Sequence, residues 1–169
     1  MRLATLLTTT LAATAAAFAV QAAPLGPVAE VHVAIGPALQ DKVDDYGQRE
    51  LDFLAADLRK SVIQAISRQG GLTPSGGTLD LVIEDATPNR PTMRQMSNKP
   101  GLSYESFGIG GAKVSGVLTT ADGRSIPVSY RWYENDIRWS QGTSTWSDAQ
   151  TSFDRFGRQL VNGSLVAER

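Results

Sequence analysis

The chain has 169 residues, a formal net charge of −1, 41% apolar residues and no cysteine. Without a basic excess it is a poor match for nucleic acid, because phosphate contacts need a positive face. Without cysteine it has neither disulfides nor a thiol nucleophile.

Arg2 is the only charged side chain before Glu30, and residues 3–20 contain no acid, base, Gly or Pro. The run ends in VQAAPLGP, with Val20 and Ala22 at −3 and −1 of a cut before Ala23. A charged start, an apolar middle and a small-x-small end describe a cleavable secretory leader over 1–22. The competing reading is a single membrane anchor, since residues 3–20 are just long enough to span a bilayer. The diluting threonines and the small-residue end favour cleavage, with Pro24 and Pro27 in a flexible terminus over 23–28. An exported chain without cysteine points to a bacterial periplasm, and it lacks the lipid-bearing Cys of a lipoprotein. In that setting the Asn162-Gly163-Ser164 sequon carries no meaning. Removing 22 of the 169 residues leaves 147, enough for one domain over 29–165. No later segment reaches membrane-spanning length.

AEVHVAI (29–35) alternates Val31, Val33 and Ile35 with Glu30, His32 and Ala34, the period of a half-buried strand. In the next segment Leu51, Leu54, Leu58, Val62, Ala65 and Ile66 recur at helical spacing. Asp45 and Gln48 are placed to box the start of this helix, and Gly70-Gly71 to stop it. TLDLVIEDA (78–86) sets Leu79, Leu81 and Ile83 against Asp80, Val82 and Glu84, a second strand. TPNRPTMRQMSNKPG (87–101) has three prolines and no periodicity, and reads as a long loop of the kind that is functional or mobile.

KVSGVLTT (113–120) and SIPVSYRWYE (125–134) flank ADGR, a strong hairpin signal. Ile126, Val128, Tyr130 and Trp132 share one face of the second arm, and Pro127 argues for a sheet edge or a strand start. Trp146, Ala149, Phe153, Phe156 and Leu160 form a helical seam, with Ser147 and Gln150 as a capping box and Gly163 as a stop. The order β-α-β-β-β-α predicts a two-layer α/β sandwich. One mixed four-stranded sheet carries two amphipathic helices on one face, with a parallel first pair and an antiparallel meander after it.

The glycines of LSYESFGIGGAKVSG invite a nucleotide reading. Lys113 follows Ala112, which breaks the P-loop pattern, and it occupies the third glycine position of a dinucleotide fingerprint. Both motifs also open a helix, whereas a strand pattern follows here. A bend or bulge at a strand entry remains. His32, the only histidine, sits between valines on a strand, and a three- or four-ligand His/Cys zinc site is excluded on inventory. Asp80 and Glu84, four residues apart on a strand, stand ~13 Å apart and cannot share a site. No calcium-loop motif occurs. No cofactor or metal is expected.

At PNRPTMRQM, LSYESFGIGGA, YRWYENDI and TWSDAQTSFDRFGRQL the chain resembles a family of small exported proteobacterial domains of unknown function. The resemblance spans about 31–160 and implies a periplasmic or envelope-associated location with no established activity. No catalytic residue follows from it. The expectation is a non-enzymatic domain that binds an envelope protein or glycan. Its candidate contacts are Asn89, Arg90 and Arg94 from the loop, Tyr104 and Phe107 beside the glycines, and Tyr133 on the last strand. The alternative is a carboxylate-dependent hydrolase of a cell-wall glycan, drawing two acids from Asp80, Glu84, Asp85, Glu134 and Asp136. Assembly through a sheet edge is a third reading.

Overall fold

The computed structural model describes residues 26–140 and 144–165. The expected leader, its expected cut between Ala22 and Ala23, and the start of the expected flexible terminus lie outside these residues. Strand β1 (Val28–Ile35) begins within that terminus, because Val28 is fully buried and pairs with β2 (Gly77–Thr87). β3 (Gly111–Thr119) and β4 (Ser125–Tyr133) complete a four-stranded sheet ordered β1-β2-β3-β4. The first pair is parallel and the other two are antiparallel, as the order of elements predicts. β4 is an outer strand, in keeping with Pro127.

Two long helices cover one face of this sheet. The first, preceded by the short helices α1 (Pro37–Gln40) and α2 (Val43–Tyr46), is α3 (Gln48–Arg68). The last, after the short helix α4 (Met93–Asn98) and a 3-10 turn (Ile137–Ser140), is α5 (Ser147–Val161). The apolar stripe of α3 and the seam of α5 meet Leu79, Leu81, Ile83, Val114, Leu118 and Val128 in one core. Phe153 and Phe156 are its largest fully buried side chains. Gly157 lets the helices approach, since a Cβ there would lie 3.1 Å from that of Ala65. No helix among the described residues is long and apolar enough to cross a membrane.

Three local expectations give way. The main helix does not start at Asp45: Gly47, at φ +96°, separates α2 from α3. The Asp45 carboxylate is spent instead on Lys99 (2.6 Å) and Gln95 (2.9 Å). The 87–101 segment is not all loop, because α4 forms within it, boxed by Thr92 and Gln95. At α5 the cap position is Trp146 with no side-chain cap, and the Ser147 hydroxyl accepts the Ser144 N–H. The glycine stops do form, with Gly70 and Gly163 both at φ +67°.

A bulge between Ile83 and Asp85 shifts the β2 register. It returns Ala86 to the core and leaves Asp85 opposite Lys113 on the open face of the sheet. Gly110 and Gly111 answer the question raised by the glycine segment. A Cβ on Gly110 would lie 2.7 Å from the Thr87 carbonyl oxygen, and one on Gly111 2.4 Å from that of Trp132. They are sites of close backbone approach at the entry to β3, which is the bend at a strand entry that the sequence suggests.

Truncating Phe153→Ala empties the centre of the α3–α5–sheet contact. Chemical denaturation should show a loss of about 3–5 kcal/mol with an unchanged fold by circular dichroism.

Candidate functional site

The carboxyl ends of β1, β2 and β4, the start of β3 and the N-termini of α3 and α5 meet at one end of the domain. In open α/β sheets ligands collect at that end, where the connections leave the strands. All the short helices among the described residues sit there, whereas the far end carries the 69–76 connection and the 120–124 turn.

The segment from Thr87 to Gly111 leaves β2 and returns to β3, and one buried pair holds its shape. Asn89 is 1% exposed, and its side-chain oxygen accepts the Asp148 N–H at 2.8 Å. Its amide group donates to the Asp148 carboxylate and to the Gly108 carbonyl. The same carboxylate accepts the Gly110 N–H at 2.9 Å. Backbone bonds from Asn89 to Thr145 and from Gly108 to Asn89 complete the latch. Asp148 lies in the first turn of α5, where the helix dipole favours a negative charge.

Held this way, the segment encloses a groove of about 310 Å³. Pro88 to Pro91 line it from the outgoing limb, Leu102, Ser106, Phe107 and Gly108 from the returning limb, and Tyr46 and Gln95 from α2 and α4. Arg90 ties the limbs together. Its Nη1 donates to the Tyr104 carbonyl at 2.6 Å, and its guanidinium carbon lies 5.7 Å from the Tyr104 ring centre and 6.0 Å from that of Phe107. Both rings remain exposed, 58% for Tyr104 and 43% for Phe107.

Of the six candidate contacts, Arg90 and Phe107 line the groove, and Tyr104 stands beside it against Arg90. Asn89 reaches it only as a buried latch, with its polar atoms already used. Arg94 is displaced: it projects from α4 and donates to the Asp44 carbonyl at 3.3 Å, helping to dock α4 on α2. Tyr133 is elsewhere, on the open face of the sheet beside Arg131.

Tyr133 belongs to a second cluster, with Lys42 and Asp85, of which sequence reading identified no part as a unit. Its hydroxyl donates to Asp85 at 2.6 Å, and Lys42 meets the other carboxylate oxygen at 2.6 Å. Partial burial pushes the Asp85 carboxyl up, but the bonds from Lys42 and Tyr133 outweigh it and hold it below the usual range. Burial, together with that same bond, raises the Tyr133 phenol well above its ordinary value. Burial alone would lower Lys42, yet Asp85 and Tyr46 raise it. A satisfied, mutually stabilising trio pins the α1–α2 connection to β2 and β4.

The other acids are dispersed. Asp80 pairs with His32 at 2.9 Å, Glu84 accepts from Ser115, Glu134 accepts the N–H groups of Asn135 and Asp136, and Asp136 pairs with Arg138. None of these four, nor Asp85, lines the groove, and among the described residues no group of acids and histidine is arranged to hold a metal. No family model matches the chain, and no curated protein matches it.

Asn89→Ala leaves the Asp148 carboxylate and N–H buried without their partner. It should cost roughly 2–4 kcal/mol by urea denaturation, and Asn89→Asp, which sets two carboxylates together, should cost more.

Because the Asp85 pKa is lower folded than unfolded, its contribution to stability is present above pH ~4 and lost as pH falls through the folded value. Thermal melts from neutral pH into the acid range should show a shallower acid limb for Asp85→Asn than for wild type.

Proposed function

We propose that the protein is an exported, non-enzymatic domain of the periplasm that binds a protein or glycan of the cell envelope at the groove between residues 87–91 and 102–108. The observation that carries this reading is the pair of exposed rings, Tyr104 and Phe107, fixed over the Arg90 guanidinium at the carboxyl end of the sheet. Leaving large rings in water is unfavourable unless a partner covers them, and pre-ordered aromatics with Arg are what interfaces use as anchors. Two prolines and the Asn89 latch stiffen the groove, so a partner pays little to order it. Gln95 and Ser106 supply polar contacts for a hydroxyl-rich or peptide ligand.

Location rests on the leader-like start and on the resemblance to exported domains. A hydrolase would need two acids across the groove, and the acids that sequence reading nominated are each engaged elsewhere.

Two measurements test this reading. N-terminal sequencing of the protein from the periplasmic fraction should begin at Ala23, and a cytoplasmic chain that retains Met1 would defeat the location. A photo-crosslinking residue at Tyr104 should capture a discrete envelope adduct in cells, while the same residue at Asp122, on the far hairpin, should not. Identical labelling from both positions would defeat the groove.

A further inference from the structure

The open face of the sheet carries an arrangement that the fold does not need. Lys113 on β3 and Arg131 on β4 stand directly opposite one another in register, and both are exposed. Like charges at such a pair are destabilising. Neither has a hydrogen-bond or ion-pair partner among the described residues, and Arg131 only lies 5.4 Å from the ring centre of Tyr133.

Nearby acids do not resolve the repulsion. Asp85, the register partner of Lys113 on β2, is held by Lys42 and Tyr133. Glu84 is held by Ser115. In the adjoining row Ser115 stands opposite Ser129, whose hydroxyl has no partner among the described residues. Lys113, Ser115, Ser129 and Arg131 line a cavity of about 590 Å³ together with Tyr130, Gln159, Ser164 and Leu165.

From this juxtaposition we infer that Lys113, Arg131 and Ser129 form an oxyanion site that takes a phosphoryl group. The guanidinium offers a planar fork that matches phosphoryl oxygens, the ammonium adds a point charge, and the serine adds a neutral donor. Two cations without an ion-pair partner among the described residues balance the roughly −1.5 to −2 charge of a phosphomonoester near neutral pH, whereas a carboxylate would neutralise only one. Two cations are too few for a nucleic-acid track. The site lies on a different face from the aromatic groove and does not depend on it.

The test uses the full exported chain, inorganic phosphate and two single variants, Lys113→Gln and Arg131→Gln. In phosphate-free buffer each variant should melt above wild type, because the opposed charges are relieved. Phosphate stabilises folded proteins generally, so the readout is the difference in response. Wild type should gain more in melting temperature than either variant at matched ionic strength, and backbone amides of 113–115 and 129–131 should shift saturably in NMR titration. Either substitution should weaken phosphate binding by about tenfold or more. Variants that gain as much from phosphate as wild type, or amides that do not saturate, would overturn the site. A vesicle arm identifies the source. Sedimentation with phosphatidylglycerol vesicles but not phosphatidylcholine, abolished by Arg131→Gln, assigns the phosphoryl to a lipid headgroup. Stabilisation by phosphate without such sedimentation assigns it to a soluble ligand.

Discussion

Asn89 and Asp148, fifty-nine residues apart and both buried, hold the domain's loop end together. The pair satisfies an amide, a carboxylate and three backbone groups at once, in a place where an unmet polar atom is costly. The first turn of α5, the exit from β2 and the approach to β3 are all fixed by it. The groove, the seating of Arg90 against its two rings and the tight passage at Gly110 follow from that fixed frame. A carboxylate at a helix start is an unremarkable surface feature in most proteins. Here it is turned inward and made the hub of a long connection.

Much of the architecture was legible in the amino acids, because hydrophobic period and turn chemistry are local signals. Val31, Val33 and Ile35 on one strand and Phe153 and Phe156 on one helix face announce which sides are buried. What escaped was set by tertiary context or masked by noise. Thr92 and Gln95 do spell a capping box, but prolines on both sides hid a six-residue helix. The converse error arose at Asp45 and at Ser147, where the same signature is present and unused. Asp45 is more valuable as the anchor for Lys99 and Gln95, and Trp146 sits at the cap of α5 while bonding Glu50 at 2.6 Å. Capping pairs are short motifs, and packing decides which of them form.

The candidate site was partly readable for a different reason. Exposed aromatics beside a long irregular segment are conspicuous, so Arg90, Tyr104 and Phe107 could be named from composition alone. Burial was not readable. Asn89 looks like any loop asparagine until Asp148 is brought to it from far along the chain. Tyr133 looked like a partner of the loop because strand alternation cannot say which face the loop covers. The bulge at Ile83 and Asp85 carried a further consequence that no window of sequence holds: it placed Asp85 between Lys42 and Tyr133.

The two margins of the sheet bear on how the domain meets other chains. On β1 the Val31 carbonyl is taken by the Arg59 guanidinium at 3.0 Å, and on β4 Pro127 supplies no N–H. Each margin is thus missing one of the groups that an incoming strand would need, the usual way in which natural sheets resist growing edge to edge. Such blunting keeps one folded copy from pairing its sheet with that of another. It also means that any assembly built from this domain is directed to its loops and its broad face, and is discouraged from forming a continuous ribbon.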